Sequence, residues 1–307
     1  MKKDFLALSE WSAPELENIF SLCRDLKNKT KAGVPHPLLQ GQTLAMIFEK
    51  SSTRTRISFE VGMFQLGGHA LFLHSGTTQM GRGEPIKDTA RVLAGYCDAI
   101  MIRTYAQAAV EELAQWAKIP VINGLTDMYH PCQIMADLFT VSEHRSNYRD
   151  LVYCWIGDGN NMANSWINAA AVFGFELRVA TPKGYEPNAA VLARAEAVGA
   201  KIFLTHDPQE AARGAHVLNT DVWASMGQEA EQQLREKAFV GYQLNEQLLG
   251  LAAADALVMH CLPAHRGEEI TDAVIEGPHA VIFAQAENRL HIQKAIMATL
   301  MRDKACS

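Results

Sequence analysis

Short apolar runs recur from Thr43 onward and alternate with stretches of helical period: LAMIF, HALFL, DAIMI, PVIN, LVYCWIG, ELRVAT, KIFLT, HVLNT, ALVMH and AVIFA. These runs read as strands, and amphipathic segments separate most of them. Strand alternating with helix implies parallel sheets. About ten strands are too many for one small domain, and the 307-residue length is roughly twice a typical domain of ~150 residues. The polar, aperiodic segment SEHRSNYRD (142–150) is the best break, dividing the chain into 1–146 and 147–286. Each half carries a five-strand signal, so the expected architecture is α/β, two doubly wound parallel-sheet domains.

Two helices frame these runs. Ser12-Ala13-Pro14-Glu15 has the form of a helix start, with a capping residue, an early proline and a glutamate three residues on. Leu16, Ile19, Phe20 and Leu22 follow at helical spacing. From Glu287 to Arg302, Leu290, Ile292, Ile296, Met297 and Leu300 form one apolar stripe. The sequence leaves open which domain this last helix joins, packing back on the first being one option.

Bulk properties exclude more than they assign. Hydrophobic residues make up 48% and charged residues 20%, an ordinary globular composition. The net charge is −6, and no basic run exceeds two residues, so no footprint for a nucleic-acid backbone exists. An anionic small substrate has to be met by a local cluster of arginines. The six cysteines, Cys23, Cys97, Cys132, Cys154, Cys261 and Cys306, lack the spacing of a zinc knuckle or disulfide framework and read as cytosolic thiols. The first twenty residues hold no uninterrupted apolar segment, and no stretch approaches the ~18–20 apolar residues of a membrane span. The expectation is a cytoplasmic protein with neither membrane nor nucleic-acid partners.

In doubly wound sheets ligands gather beyond the carboxyl ends of strands, where helix N-termini offer unpaired N–H groups and partial positive charge. The first such place is Phe48-Glu49-Lys50-Ser51-Ser52-Thr53-Arg54-Thr55-Arg56, with a helix expected near Arg54. Ser52, Thr53 and Thr55 would offer hydroxyls and N–H groups to phosphate oxygens, and Arg54 would add charge-assisted hydrogen bonds. A helix cap flanked by solvated arginines is the plain alternative. The doubled hydroxyl and arginine pattern directly after a buried strand favours the anion site. Neither the P-loop nor the dinucleotide fingerprint is present, since GDGNN has the wrong spacing. Arg103 after DAIMI, His130-Pro131-Cys132-Gln133 after PVINGLTDMY, and Arg289 near the last helix extend the pattern to other strand ends.

S-x-T-R-T-R after F-E-K, D-T-A-R-V-L, H-P-C-Q, D-x-x-x-S-M-G and H-C-L-P, in this order from Phe48 to Arg289, resemble the ornithine carbamoyltransferase family. The S-M-G and H-C-L-P motifs separate the chain from aspartate carbamoyltransferases. The resemblance implies an active site between the two domains and substrates carbamoyl phosphate and L-ornithine, with no cofactor and no metal. It implies that Ser52, Thr53, Arg54 and Thr55 hold the phosphate and that Arg103 bridges phosphate and carbamoyl oxygen. His130 would polarise that oxygen with Thr55. Gln133 and the carbonyls of Cys261 and Leu262 would accept from the carbamoyl NH₂, with Arg289 adding charge. Asn161 would take the ornithine carboxylate, and Asp221, Ser225 and Met226 its α-amino end. Gln79 would reach a neighbouring subunit's site, in a homotrimer or a multiple of one. One departure is Pro85, where family members often carry a hydroxyl residue.

Read singly, His130 is a helix-entry residue, Asp221 a strand-end cap and Cys261 a small buried apolar group. In matching order and spacing they read as a site. Cys23, Cys97, Cys154, Cys306, Trp11, Trp116 and Trp155 match no site motif and stay structural. The implied chemistry is attack of an amine on a carbamoyl carbon with phosphate leaving, assigned to Arg54, Arg103, His130, Cys261 and Asp221. Negative charge grows on the carbonyl oxygen and on the phosphate, and preorganised positive donors address both. The amine, with an ordinary pKa of ~10.4, must lose its proton, and nearby arginines and desolvation favour that. Carbamoyl phosphate would bind first, completing the ornithine site. The alternatives are a carbamoyltransferase for a related amine, such as putrescine or an N-acylated ornithine, and a catalytically silent homologue.

Overall fold

The computed structural model describes residues 2–74, 76, 83–224 and 229–302. The chain forms two compact units, Met1–Met135 with Asn288–Ser307, and Ala136–Glu287. No helix among the described residues is long and apolar enough to cross a membrane.

The first unit opens with α1 (Ala13–Lys31). Its capping box is formed as the sequence implies: the Ser12 N–H donates to the Glu15 carboxylate at 2.9 Å, and Leu16, Ile19, Phe20, Cys23 and Leu26 are buried. β1 (Thr43–Phe48), α2 (Thr53–Gln65), β2 (His69–His74), α3 (Ile86–Tyr96), β3 (Ala99–Arg103), α4 (Gln107–Trp116) and β4 (Val121–Leu125) follow, and α5 (Pro131–His144) begins in this unit and continues into the second. The sheet is parallel, in the order β2-β1-β3-β4. It has four strands rather than the expected five. Beside β4 lies a single bridge at Phe5, whose N–H and C=O pair with Val121 and Asn123 before the chain turns away at Leu8–Glu10. β2 pairs with β1 alone and holds only exposed and half-buried residues, as an edge strand does. Leu71 on it, Ile57 and Phe64 on α2, and Val92 and Tyr96 on α3 are exposed.

The second unit holds β5 (Val152–Ile156), α6 (Asn161–Phe173), β6 (Glu176–Ala180), α7 (Ala189–Ala197), β7 (Ile202–Thr205), α8 (Pro208–Ala212), β8 (Val217–Thr220), α9 (Gln232–Ala238), α10 (Glu246–Leu249), β9 (Leu257–His260) and α11 (Asp272–Ile275). Its five parallel strands run β7-β6-β5-β8-β9. Tyr153, Trp166 and Phe175 build one face of its core, with Tyr153 and Phe175 centroids 4.3 Å apart. Burying each such ring is worth roughly 1.5–3 kcal/mol. The run AVIFA, expected as a strand, makes one bridge from Ala280 to Val258 and then becomes the start of α12 (Ile282–Met301). A short apolar run has no period long enough to tell strand from buried helix.

Strand order reverses between β1 and β3 in the first sheet and between β5 and β8 in the second. At such points successive crossovers leave the sheet in opposite directions, and a crevice opens above the carboxyl ends.

Lys294 of α12 is fully buried and donates to Thr30 Oγ1 at 2.6 Å and Gln65 Oε1 at 2.7 Å, and reaches His36 Nε2 at 3.2 Å. The helix is thereby tied to α1 and α2. Burial lowers the Lys294 pKa to about 8. Above that pH the folded chain carries fewer protons here than the unfolded chain, so the parent should gain stability relative to Lys294→Met between pH 8 and about 10.4, the ordinary lysine value. Denaturant melts of both proteins across this window check it; a constant difference contradicts it.

Candidate active site

In the first unit the chain leaves β1 at Phe48 and enters α2 at Thr53. Ser52 is extended, and its hydroxyl accepts from the Thr55 N–H at 3.2 Å, setting the first turn. The loop is fixed to β3: Glu49 N–H donates to the Arg103 carbonyl at 2.9 Å, and the Glu49 carboxylate accepts from the Thr104 hydroxyl. Lys50 is buried, ion-paired with Asp127, and lies 4.3 Å over the Tyr105 ring. Ser52, Thr53, Arg54 and Thr55 therefore stand at the β1/β3 reversal beside Arg103, the last residue of β3.

His130 immediately precedes α5, and its carbonyl accepts from the Gln133 N–H at 3.1 Å. Arg289, on α12, donates to Gln133 Oε1 at 2.5 Å and to Thr55 Oγ1 at 3.3 Å, so one guanidinium joins α2 and α5. Thr55, Arg103, His130, Gln133 and Arg289 are all buried, whereas Thr53 and Arg54 are exposed. Burial, with the charges of Arg289, Arg103 and Arg54, holds the His130 pKa well below its ordinary value. The imidazole is thus neutral near pH 7 and can donate a hydrogen bond to a carbonyl without adding a fourth charge. Hydroxyls, a helix N-terminus and three guanidiniums make this an anion site.

In the second unit β5 is followed by Gly157-Asp158-Gly159-Asn160. Gly157 has φ +140°, and a Cβ on Gly159 would fall 2.3 Å from the backbone at Glu186 and Pro187, so the turn is closed to other residues. The Asn160 side chain caps α6, accepting from Met162 and Ala163 N–H groups, and its Nδ2 donates to Asp221 Oδ2 at 3.1 Å. Asn161 begins α6. Asp221 follows β8; its Oδ1 accepts from the Val222 N–H at 2.8 Å and from the Cys261 thiol at 3.0 Å. Asn160, Asp221 and Cys261 are thus joined across the β5/β8 reversal. Asp158 is pushed up to about 6 by burial, against the Arg235 guanidinium 2.9 Å away. Leu262 has φ +57°, a conformation costing about 1–3 kcal/mol in a residue of this kind. Its N–H donates to His260 Nδ1 at 2.8 Å.

Asp221, His260 and Cys261 each present a ligand atom within 4.8 Å of the others, a set able to hold a divalent cation. Both His260 nitrogens are already hydrogen-bonded, to the Leu262 N–H and to Glu269, so a metal there would displace one of these bonds.

Residues 3–143 match the carbamoyl-P binding domain of the aspartate/ornithine carbamoyltransferase family, and residues 149–300 match its Asp/Orn binding domain. The chain belongs to the aspartate/ornithine carbamoyltransferase family. It is 72% identical to the ornithine carbamoyltransferase of Syntrophotalea carbinolica, over 98% of this chain and 100% of that one. With the enzyme of that name from Geobacter sulfurreducens the identity is 62%, over 98% and 100%. Among solved structures, ornithine carbamoyltransferase from Pyrococcus furiosus superposes with a TM-score of 0.94 at 50% identity, covering 98% of this chain and 97% of that one. The anabolic ornithine carbamoyltransferase of Campylobacter jejuni gives 0.92 at 42% identity, covering 99% of each.

Of the residues the family motifs single out, the first unit brings together Ser52, Thr53, Arg54, Thr55, Arg103, His130, Gln133 and Arg289. The second brings together Asp221 and Cys261, with Asn161 and Leu262 next to their bonded neighbours. Gln79, Ser225 and Met226 lie outside the described residues. Pro85 directly precedes α3, and the Glu84 carboxylate is met by the Thr89 hydroxyl at 3.0 Å, so a hydroxyl reaches Glu84 from within the helix. Asn160 belongs to none of the family motifs, although paired asparagines where a strand meets a helix carry a capping signal. The Lys50–Asp127 and Asp158–Arg235 pairs span 77 residues each and leave no local trace in the sequence.

Because His130 is held neutral, its imidazole should show no protonation midpoint between pH 6 and 8. Side-chain nitrogen chemical shifts of labelled histidine, assigned with His130→Asn, check this; a midpoint above 6 contradicts it.

Proposed function

We propose that the chain transfers the carbamoyl group of carbamoyl phosphate to the δ-amine of L-ornithine, giving L-citrulline and phosphate. The observation that carries this is the gathering of Arg54, Arg103 and Arg289 about a neutral buried His130 at the α2 N-terminus, in a chain whose relatives bear the name of that reaction. A carbamoyl phosphate presents an anion for the guanidiniums and, one bridging oxygen away, a carbonyl for the imidazole.

In this reading Ser52, Thr53, Arg54 and Thr55 take the phosphate oxygens, and Arg103 stabilises charge on both the departing phosphate and the carbamoyl oxygen. His130 donates to that oxygen, with Thr55. Gln133, held by Arg289, and the carbonyls of Cys261 and Leu262 accept from the carbamoyl NH₂. Asn161 binds the ornithine carboxylate, while Asp221, Ser225 and Met226 hold its α-amino end. The Asp221 carboxylate and the Cys261 thiol, joined at 3.0 Å, orient the δ-amine. The amine attacks as the free base, the C–O bond to phosphate breaks, and the proton given up by nitrogen leaves with the phosphate or solvent. Preorganised donors around the developing charge account for the rate, and no redox or cofactor step is needed.

The same reading makes the enzyme cytoplasmic, biosynthetic for arginine, and a homotrimer or multiple of one in which Gln79 enters a neighbour's site. The designation of the Campylobacter jejuni structure as anabolic supports the direction. The exposed β2 edge, with Ile57, Phe64, Leu71, Val92 and Tyr96, supports the assembly, since an uncovered apolar edge favours association.

Citrulline formation should require ornithine, with N-acetylornithine and putrescine giving under about 1% of the rate, because a site that hydrogen-bonds a substrate group rejects analogues lacking it. Comparable turnover of either analogue contradicts the assignment. Removing the guanidinium in Arg54→Ala should lower kcat/KM for carbamoyl phosphate by about 30-fold or more, corresponding to roughly 2–5 kcal/mol lost at an unpaired charge, and a drop of less than about tenfold contradicts the assignment. Steady-state kinetics check this, and light scattering checks the trimer.

A further inference from the structure

Glu269 has no part in the chemistry above, yet it is completely buried in the second unit. Its Oε1 lies 2.9 Å from His260 Nε2 and also accepts from the His265 N–H at 2.7 Å. On the other side of the same imidazole, Nδ1 accepts from the Leu262 N–H at 2.8 Å. A ring nitrogen that accepts carries no proton, so in the neutral ring the proton is on Nε2 and points at Glu269. One carboxylate oxygen therefore grips both ends of the segment 260–265. The backbone that carries this carboxylate is itself held, because the Glu269 carbonyl accepts from the Leu244 N–H at 2.8 Å and the Glu268 carbonyl from the Gln243 side chain at 2.8 Å.

Between the two gripped ends sits Leu262 at φ +57°, a backbone conformation that a leucine adopts only when its surroundings hold it there. The Leu262 N–H bond to Nδ1 contributes to holding it, and this bond exists only in the tautomer that Glu269 selects. With the other tautomer, Nδ1 would present a proton to the Leu262 N–H, and the turn would open. The thiol of Cys261, which donates to Asp221 at 3.0 Å, lies on that turn.

We infer that Glu269 is a positioning residue for the transfer reaction: by fixing the His260 tautomer it sets the Cys261–Leu262 turn, and with it the carbonyls that receive the carbamoyl NH₂ and the thiol that orients the amine. This rests on the carbamoyl-transfer reading above. The requirement is for an acceptor at the right reach, not for negative charge. Glu269 Oε2 has no hydrogen-bond partner among the described residues, so replacing it by an amide nitrogen breaks no bond.

Two variants of the full chain separate reach from charge. Glu269→Gln keeps the acceptor where it is and removes the charge. Glu269→Asp keeps the charge and withdraws the acceptor by one methylene, about 1.5 Å, and a shift of about 1 Å in catalytic geometry can slow a reaction on the order of 100-fold. The kcat for citrulline formation should stay within about fivefold of the parent in Glu269→Gln and fall by at least about 30-fold in Glu269→Asp. Inorganic phosphate, competing with carbamoyl phosphate at the first unit's arginines, should inhibit parent and both variants with constants agreeing within about threefold, a difference of under about 0.7 kcal/mol. A parent-like Glu269→Asp overturns the inference. So does a Glu269→Gln as slow as Glu269→Asp, or phosphate inhibition that weakens in step with kcat. A parent that makes no citrulline at all defeats the functional reading itself, before either variant is compared.

Discussion

Three guanidiniums acting on one buried imidazole repel one another and any proton that imidazole takes up, and the first unit is arranged around that repulsion. His130 answers it by staying neutral. Arg289 is met by the side chains of Gln133 and Thr55, which offer oxygen dipoles without cancelling its charge. Buried charge satisfied by neutral acceptors keeps its field, and a field of this sign favours an incoming anion. Arg54, exposed at the first turn of α2, adds to a positive potential that the helix N-terminus already supplies.

Keeping that cluster in register requires contacts between remote parts of the chain. Arg289 is held on α12, and α12 is fixed in the first unit by Lys294 through Thr30, His36 and Gln65. The loop before α2 is fixed separately, by Glu49 to Thr104 and by Lys50 to Asp127. The second unit solves a different problem. Its polar groups meet above the β5/β8 reversal, where two glycines let the backbone turn and Asn160 both caps α6 and holds Asp221. Parallel sheets with a reversal of strand order thus supply the place in each unit, and long-range hydrogen bonds supply the geometry.

Much of this was legible in the residues. The strand runs from LAMIF to ALVMH, the capped first helix, and the anion loop at Ser52–Thr55 follow from local patterns whose physics is local: burial period, cap chemistry, charge at a helix start. Errors arose where a pattern was too short to be decisive. AVIFA is apolar enough for a strand, but only one bridge forms before α12 begins. Roles in the site were legible mostly through motif resemblance, since nothing in the neighbourhood of Asp221 or Cys261 announces that their side chains meet. Glu269 was not legible at all: an acidic pair in a polar stretch reads as surface, and only the fold shows one of the two fully buried against a histidine nine residues away.

In the proposed reaction the arginine cluster of the first unit receives a phosphoryl group whose neighbouring carbonyl faces His130. A crystal structure of the chain with carbamoyl phosphate tests it most directly. Phosphate oxygens should lie within hydrogen-bonding distance of the Ser52–Thr55 turn and Arg103, and the carbamoyl oxygen within reach of His130. Phosphate bound away from the α2 N-terminus, or a carbamoyl group turned from His130, would contradict it.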